Sequence, residues 1–185
     1  MKNIAVFISG TGSNLRTIAE FCQHHSSYAK IDVVISNKAN VYGLEIAKEF
    51  NLKTVVIPTK GRTMIEFENE CGEHLQNVNL ICLAGFMRVL SQSFTKTWHG
   101  KMVNIHPSLL PSFKGGNAVS DALNYGVKIT GCTVHFVEEE VDSGRIISQK
   151  SVNVFEDDTE KTLHERIKSV EKEAYVEAME KLCLV

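Results

Sequence analysis

Asn104 and His106 stand two residues apart in the stretch Met102-Val103-Asn104-Ile105-His106-Pro107-Ser108-Leu109-Leu110-Pro111. Alternate residues of an extended chain share a face, and Pro107 biases His106 towards extended backbone. An amide beside an imidazole at a strand end can donate hydrogen bonds to a carbonyl oxygen, or to the anion which that oxygen becomes when a nucleophile adds. Two of the three prolines in the chain close this one segment. Asn-x-His also fits an ordinary strand end, so other residues have to decide between the two.

Asp142 is the first of these. It lies in Asp142-Ser143-Gly144, behind Glu138-Glu139-Glu140. Asp-x-Gly is a common turn former. The alternative is a carboxylate partner for His106 that orients the ring and favours its charged form. The second candidate is Ser9-Gly10-Thr11-Gly12-Ser13-Asn14, which joins an apolar run to the helically spaced Leu15, Ile18, Ala19 and Phe21. Glycines allow a tight turn, and the unpaired N–H groups of a helix start suit a phosphate. A plain turn, with Ser13 or Asn14 capping the helix, is the competing reading. Leu15 occupies the place of the third glycine of a dinucleotide fingerprint, and the Gly-Lys-Ser/Thr ending of a P-loop is missing.

The remaining reactive residues offer less. Of the seven histidines, His24, His25, His74, His99 and His164 lie in polar stretches and read as surface residues, and His135, inside Thr133-Val134-His135-Phe136, reads as a structural strand histidine. No histidine or cysteine spacing matches a metal set, and there is no G-x-S-x-G elbow. The five cysteines show no paired spacing and read as reduced, buried thiols, which implies a cytoplasmic protein. A net charge of −2 argues against a broad nucleic-acid surface. The apolar run at 4–8 is too short for a signal segment or a membrane span.

The elements that must position the candidates follow from hydrophobic pattern. Apolar runs at 3–8, 31–35, 54–57, 80–84 and 101–105 predict strands, separated by helical patterns after Asn14, at 43–50, at 62–75 and from about 91. This order predicts an α/β chain with a doubly wound, mostly parallel, Rossmann-like sheet. A helix at 117–125 ending at Gly126, two strands at 130–137 and 145–154, and a last helix opening at Asp158-Thr159 and running to about 182 predict a mixed sheet edge. At 185 residues and 43% hydrophobic content the chain is expected to be one domain spanning 1–185. Ligands of such sheets bind beyond the C-terminal strand ends. That rule gathers 9–14, 85–90 and 104–111 at one edge.

The residues so assembled resemble the phosphoribosylglycinamide formyltransferase family over nearly the whole chain. The resemblance is carried by Ile8-Ser9-Gly10-Thr11-Gly12-Ser13-Asn14-Leu15, Ser36-Asn37-Lys38-Ala39, Leu83-Ala84-Gly85-Phe86-Met87-Arg88-Val89-Leu90, the stretch from Asn104 to Pro111, Gly131-Cys132-Thr133-Val134-His135-Phe136-Val137 and Asp142-Ser143-Gly144. It implies the formyltransferase fold, and transfer of the formyl group of 10-formyltetrahydrofolate to the amine of glycinamide ribonucleotide in purine biosynthesis, without a metal. It implies catalytic roles for Asn104, His106 and Asp142. Gly12, Ser13, Asn14 and Glu171 match ribonucleotide-binding positions. Arg62, Met87, Arg88, Val89, Leu90, Asn104, Glu140 and Val141 match folate-binding positions. The ribonucleotide phosphate then falls to the part at about 1–100, and catalysis and folate to about 101–185. Small molecules are the expected partners, with no nucleic acid or membrane, and the protein is expected to be a monomer or homodimer.

One departure is Val119, where many relatives carry a histidine. Two rivals stay open. Formyl-folate hydrolysis, or transfer to another amine, is disfavoured because the relatives with those activities normally carry an extra domain that 185 residues are not expected to hold. A folate- or nucleotide-binding module without catalysis would show a degenerate trio, whereas Asn104, His106 and Asp142 are all present.

Overall fold

The computed structural model describes residues 1–184; Val185, the last residue of the expected domain, lies outside the described residues. The chain opens with strand β1 (Lys2–Ile8) and helix α1 (Ser13–His24), followed by β2 (Ala29–Ser36), α2 (Tyr42–Glu49), β3 (Thr54–Val56) and α3 (Met64–Glu73). β4 (Leu80–Leu83), α4 (Gln92–Thr97) and β5 (Met102–His106) complete the alternation, and α5 (Ala118–Tyr125), β6 (Ile129–Phe136), β7 (Ile146–Asn153) and α6 (Glu160–Cys183) close it. The strands form one sheet of seven in the order β3-β2-β1-β4-β5-β6-β7. β1 to β5 run parallel, and β6 and β7 pair antiparallel. This is the mixed doubly wound sheet that the order of apolar runs predicts.

Double winding is visible in β1 itself. Its apolar residues alternate between two cores, because successive side chains of a strand point to opposite faces. Ile4, Val6 and Ile8 join Leu15, Ile18, Leu163, Ile167 and Tyr175 on the side of α1 and α6. Ala5 and Phe7 join Phe67, Phe86 and Phe94 on the side of α3 and α4. Phe86, just past β4, stacks on Phe67 and meets Phe7 edge-on at 5.5 Å between ring centres. Such pairs add about 0.5–1.5 kcal/mol beyond the burial of their surface. They also pin the start of the loop that follows β4.

Expected and observed boundaries differ by one or two residues, each for a local reason. The helix expected from Arg62 starts at Met64, because Thr63 and Glu66 form a reciprocal capping box. The strand expected to end at 105 reaches His106, which pairs with Thr133 of β6, while Asn104 pairs with His135. Gly126 ends α5 in the left-handed conformation, and Thr159 caps α6. Val119 is buried in the core shared with α6. Neither Ser13 nor Asn14 caps α1: Gly12 takes that position, with φ 76° and no side-chain cap.

The connection from β6 to β7 carries Asp142, and Gly144 holds it against the sheet. A Cβ at Gly144 would lie 1.8 Å from the carbonyl oxygen of Phe136, so any side chain there has to push the two backbones apart. Overpacking of this kind costs about 1–3 kcal/mol. Gly144→Ala is therefore expected to lower the urea midpoint of unfolding by a corresponding amount, which equilibrium denaturation of the two proteins measures.

Candidate active site

Three strand ends build the site. β1, β4 and β5 are adjacent and parallel, so the turn after Ile8, the loop after Leu83 and the end of β5 meet at one edge of the sheet. Asn104 is half-buried and His106 buried at the end of β5. Beyond His106 the chain is stapled in place. Thr133 Oγ1 donates to Ser108 O at 2.7 Å and accepts from Leu110 N at 3.1 Å. Gln149 Nε2 donates to Leu110 O at 3.0 Å, and the Leu110–Pro111 peptide is cis. The proline-rich exit thus leaves His106 at a fixed position.

The loop between β6 and β7 brings Asp142 to the same place. Its backbone sits in the left-handed region, φ 53°, which aspartate tolerates better than most residues. Asp142 Oδ2 lies 3.3 Å from His106 Nδ1 and accepts from Gly115 N–H at 2.8 Å. Its other oxygen, Oδ1, lies 3.5 Å from His135 Nε2, at the limit of hydrogen-bond reach. All three side chains are more than nine-tenths buried. Burial alone opposes ionisation of Asp142. The His135 ring, the Gly115 N–H and the charge of His106 outweigh that penalty and hold the carboxyl below the ordinary carboxylate range.

The far nitrogens of both rings complete the pattern. His106 Nε2 donates to Phe113 O at 2.7 Å, and His135 Nδ1 donates to Phe136 O at 2.8 Å. A carbonyl only accepts, so each ring carries a proton on its far nitrogen. For His106 both nitrogens then face acceptors, an arrangement satisfied in full only by the doubly protonated ring. A cationic imidazole beside the Asn104 amide is a donor set for a developing oxyanion.

His135 is the residue that its sequence setting fails to reveal. Placing it requires the β5–β6 register, in which cross-strand partners share a face. One cue was present: Thr133 and His135 are polar residues two apart that alternate with the apolar Cys132, Val134 and Phe136. Phe113 O and Gly115 N–H are main-chain groups and leave no trace in residue type.

The turn after β1 leaves backbone donors free. The first intrahelical bond of α1 is Arg16 N to Gly12 O, so the N–H groups of Ser13 and Asn14 have no partner within the helix. A Cβ on Gly12 would fall 2.5 Å from Gly43 Cα, so the turn needs glycine both for its φ and for that approach. Glu171, on α6, is buried and accepts from Asn14 Nδ2 at 2.9 Å. A cavity of about 360 Å³ opens beside the turn, lined in part by Ser13, Arg16 and Lys172. Its cations are already paired, Arg16 with Glu49 and Lys172 with Glu20.

The remaining predicted residues lie on two loops. Met87 and Val89 are 74% and 71% exposed, Arg88 is exposed and Leu90 is buried. Val141 is exposed beside Asp142, and Glu140 pairs with Lys114 at 3.2 Å. Arg62, just before α3, is paired with Glu70 of that helix and is not directed at the trio by any contact. The cysteines are all buried, and burial pushes Cys22, Cys71 and Cys132 up to about 12, which makes them inert as nucleophiles. Among the described residues no group of three or more histidine, cysteine, aspartate or glutamate side chains is arranged to hold a metal ion, and no helix is long and apolar enough to cross a membrane.

Known proteins share both the sequence and the fold. The formyl transferase family pattern matches residues 2–179. The phosphoribosylglycinamide formyltransferase of Haemophilus influenzae is 43% identical over 178 residues, covering 95% of this chain and 84% of that protein. The human trifunctional purine biosynthetic protein adenosine-3 is 49% identical over 180 residues; the match takes in 96% of this chain but only 18% of the larger protein's length. The crystal structure of glycinamide ribonucleotide transformylase 1 from Symbiobacterium toebii superposes with a TM-score of 0.92 at 41% identity, over 97% of this chain and 86% of that one.

Because the folded chain holds Asp142 below its unfolded pKa, the stability this provides is complete above the unfolded value of about 3.9 and is lost as pH falls through the folded one. Asp142→Asn removes the titration. The gap in urea midpoint between wild type and variant is expected to narrow as pH falls below about 4.

Proposed function

Since the chain belongs to the formyl transferase family, in its phosphoribosylglycinamide formyltransferase branch, we propose that it formylates the amine of glycinamide ribonucleotide in purine biosynthesis, with 10-formyltetrahydrofolate as the formyl donor. The observation that carries the mechanism is the buried His106–Asp142 pair, 3.3 Å apart, at the strand end that also holds Asn104. The ribonucleotide phosphate is assigned to the N–H groups of Gly12, Ser13 and Asn14. Glu171, tied to Asn14, is assigned to the ribonucleotide as well.

Addition of a primary amine to a formyl carbon moves negative charge onto the formyl oxygen. Asn104 Nδ2–H and a His106 N–H stabilise that charge, and Asp142 holds the imidazole oriented and charged while protons pass from the attacking amine to the departing nitrogen. Each ring N–H of His106 already has a partner, so one must be released for this role. Phe113 O is uncharged and the weaker of the two; Nε2 is thus the proton offered to the oxyanion, and the segment after Pro111 gives way to it.

The donor site is assigned to the loop after β4 together with Glu140 and Val141. Two features of the loop fit a flat heterocycle with a polar edge. Its exposed apolar side chains, Met87 and Val89, offer a surface for a ring. Among the described residues, the backbone groups of Arg88, Val89 and Leu90 make no hydrogen bond within the protein and are open to a ligand edge. Arg62 reaches a donor's carboxylates in this assignment by exchanging its partner Glu70.

Loss of one oxyanion donor typically costs about 10²–10³ in rate. Asn104→Ala, His106→Ala and Asp142→Ala are each expected to lower kcat by about that factor while still binding a folate analogue. Steady-state rates followed by folate absorbance test this, and near-wild-type turnover in any of the three would remove that residue from the mechanism. Release of the formyl group at the same rate with the ribonucleotide omitted would instead make the protein a hydrolase.

A further inference from the structure

The loop from Met87 to Leu90 has no regular structure and few backbone partners of its own, yet both of its ends are tied to buried polar side chains that lie outside any assigned site. At its start, Met87 N–H donates to Ser9 Oγ at 2.9 Å. Ser9 is only 4% exposed, and its hydroxyl proton goes to Asn37 Oδ1 at 2.6 Å. Asn37 in turn donates from Nδ2 to Thr59 Oγ1 at 3.3 Å. The four residues form a chain across the ends of β1, β2 and β3. At the loop's far end, Glu68 of α3 is 6% exposed. Its carboxylate accepts Ser91 N–H at 2.6 Å and Ser91 Oγ–H at 2.5 Å. Ser91 also caps α4. A carboxylate buried on a helix and bonded twice to one residue of a neighbouring loop does little for its own helix; its evident effect is on where the loop sits.

We propose that Ser9 and Glu68 are positioning residues for the formyl donor: they fix the two ends of the loop at 87–90, so that its free backbone groups stand preformed for the ligand edge. The inference rests on the reading that this loop takes the donor. Neither side chain need touch the donor. With Ser9 gone, Met87 N–H and Asn37 Oδ1 both lose their partner. With Glu68 gone, Ser91 loses two hydrogen bonds. In both cases the loop must be ordered by the ligand itself, which lowers affinity. The ribonucleotide side is insulated, because the phosphate turn keeps its own bonds from Asn37 N to Ile8 O, Gly43 N to Gly10 O and Arg16 N to Gly12 O.

The test is a comparison of KM values for the two substrates. Ser9→Ala and Glu68→Ala are expected to raise the donor KM about fivefold to thirtyfold, the effect of one or two lost hydrogen bonds. The ribonucleotide KM and the kcat at saturating donor should stay within about twofold. Glu68→Gln keeps an acceptor for Ser91 N–H and should recover most of the donor affinity. A general loss of stability would lower the active fraction without separating the two KM values. An unchanged donor KM, or an equal rise in both, would overturn the proposal, and if Ser9→Ala does not fold, the two Glu68 variants decide alone. Val89→Asp separates this from the parent reading. If charge at that exposed position leaves the donor KM untouched, the loop is not the donor site. If Val89→Asp raises it while Ser9→Ala and Glu68→Ala do not, only the positioning role falls.

Discussion

Asp142 is a carboxylate taken out of water and held ionised between two imidazoles and a backbone N–H. Left unpaired, such a charge would be costly enough to neutralise itself. The fold therefore has to deliver its partners from separate elements: His106 from the end of β5, His135 from β6 and Gly115 from the segment leading into α5. Each of the other features near the site serves that delivery. The antiparallel pairing of β5 with β6 sets Asn104 beside His135. Gly144 allows the Asp142 loop to fold against Phe136, and the Thr133 and Gln149 hydrogen bonds fix the chain just beyond His106.

The doubly wound sheet was legible because its information is local and redundant. Continuous apolar runs such as Ile4 to Ile8, separated again and again by helical patterns, leave little choice of architecture. The rule that ligands sit beyond strand ends then brought Asn104, His106 and the glycine turn together without any knowledge of contacts. What spacing could not give was register. His135 is chemically conspicuous and yet read as structural, because its role depends on which residue of β5 it faces. Glu171 stands out only through the family resemblance, and its burial against Asn14 depends on how α6 crosses α1. The contributions of Phe113 O and Gly115 N–H come from backbone conformation, to which residue type is nearly blind.

Stability and function draw on different parts of this sheet. The two cores meet through β1 and β4, and the aromatic cluster of Phe7, Phe67 and Phe86 reaches to the foot of the loop assigned to the formyl donor. That loop exposes Met87 and Val89, an arrangement that stability alone would not favour. Buried anchors on both sides of an exposed apolar segment allow it to stay ordered without covering its own surface. The glycine turn after β1 follows the same logic with backbone N–H groups in place of apolar side chains.

Asp142 stays ionised in the buried cluster, and its own titration tests this without an intermediary. In protein with ¹³C-labelled aspartate carboxyls, with the Asp142 signal assigned by its loss in Asp142→Asn, the carboxylate shift is expected to persist through neutral pH and to begin to move only below the ordinary value of about 3.9. A signal that titrates at or above that value would mean that burial outweighs the imidazoles and the Gly115 N–H. It would contradict the arrangement on which the proposed chemistry depends.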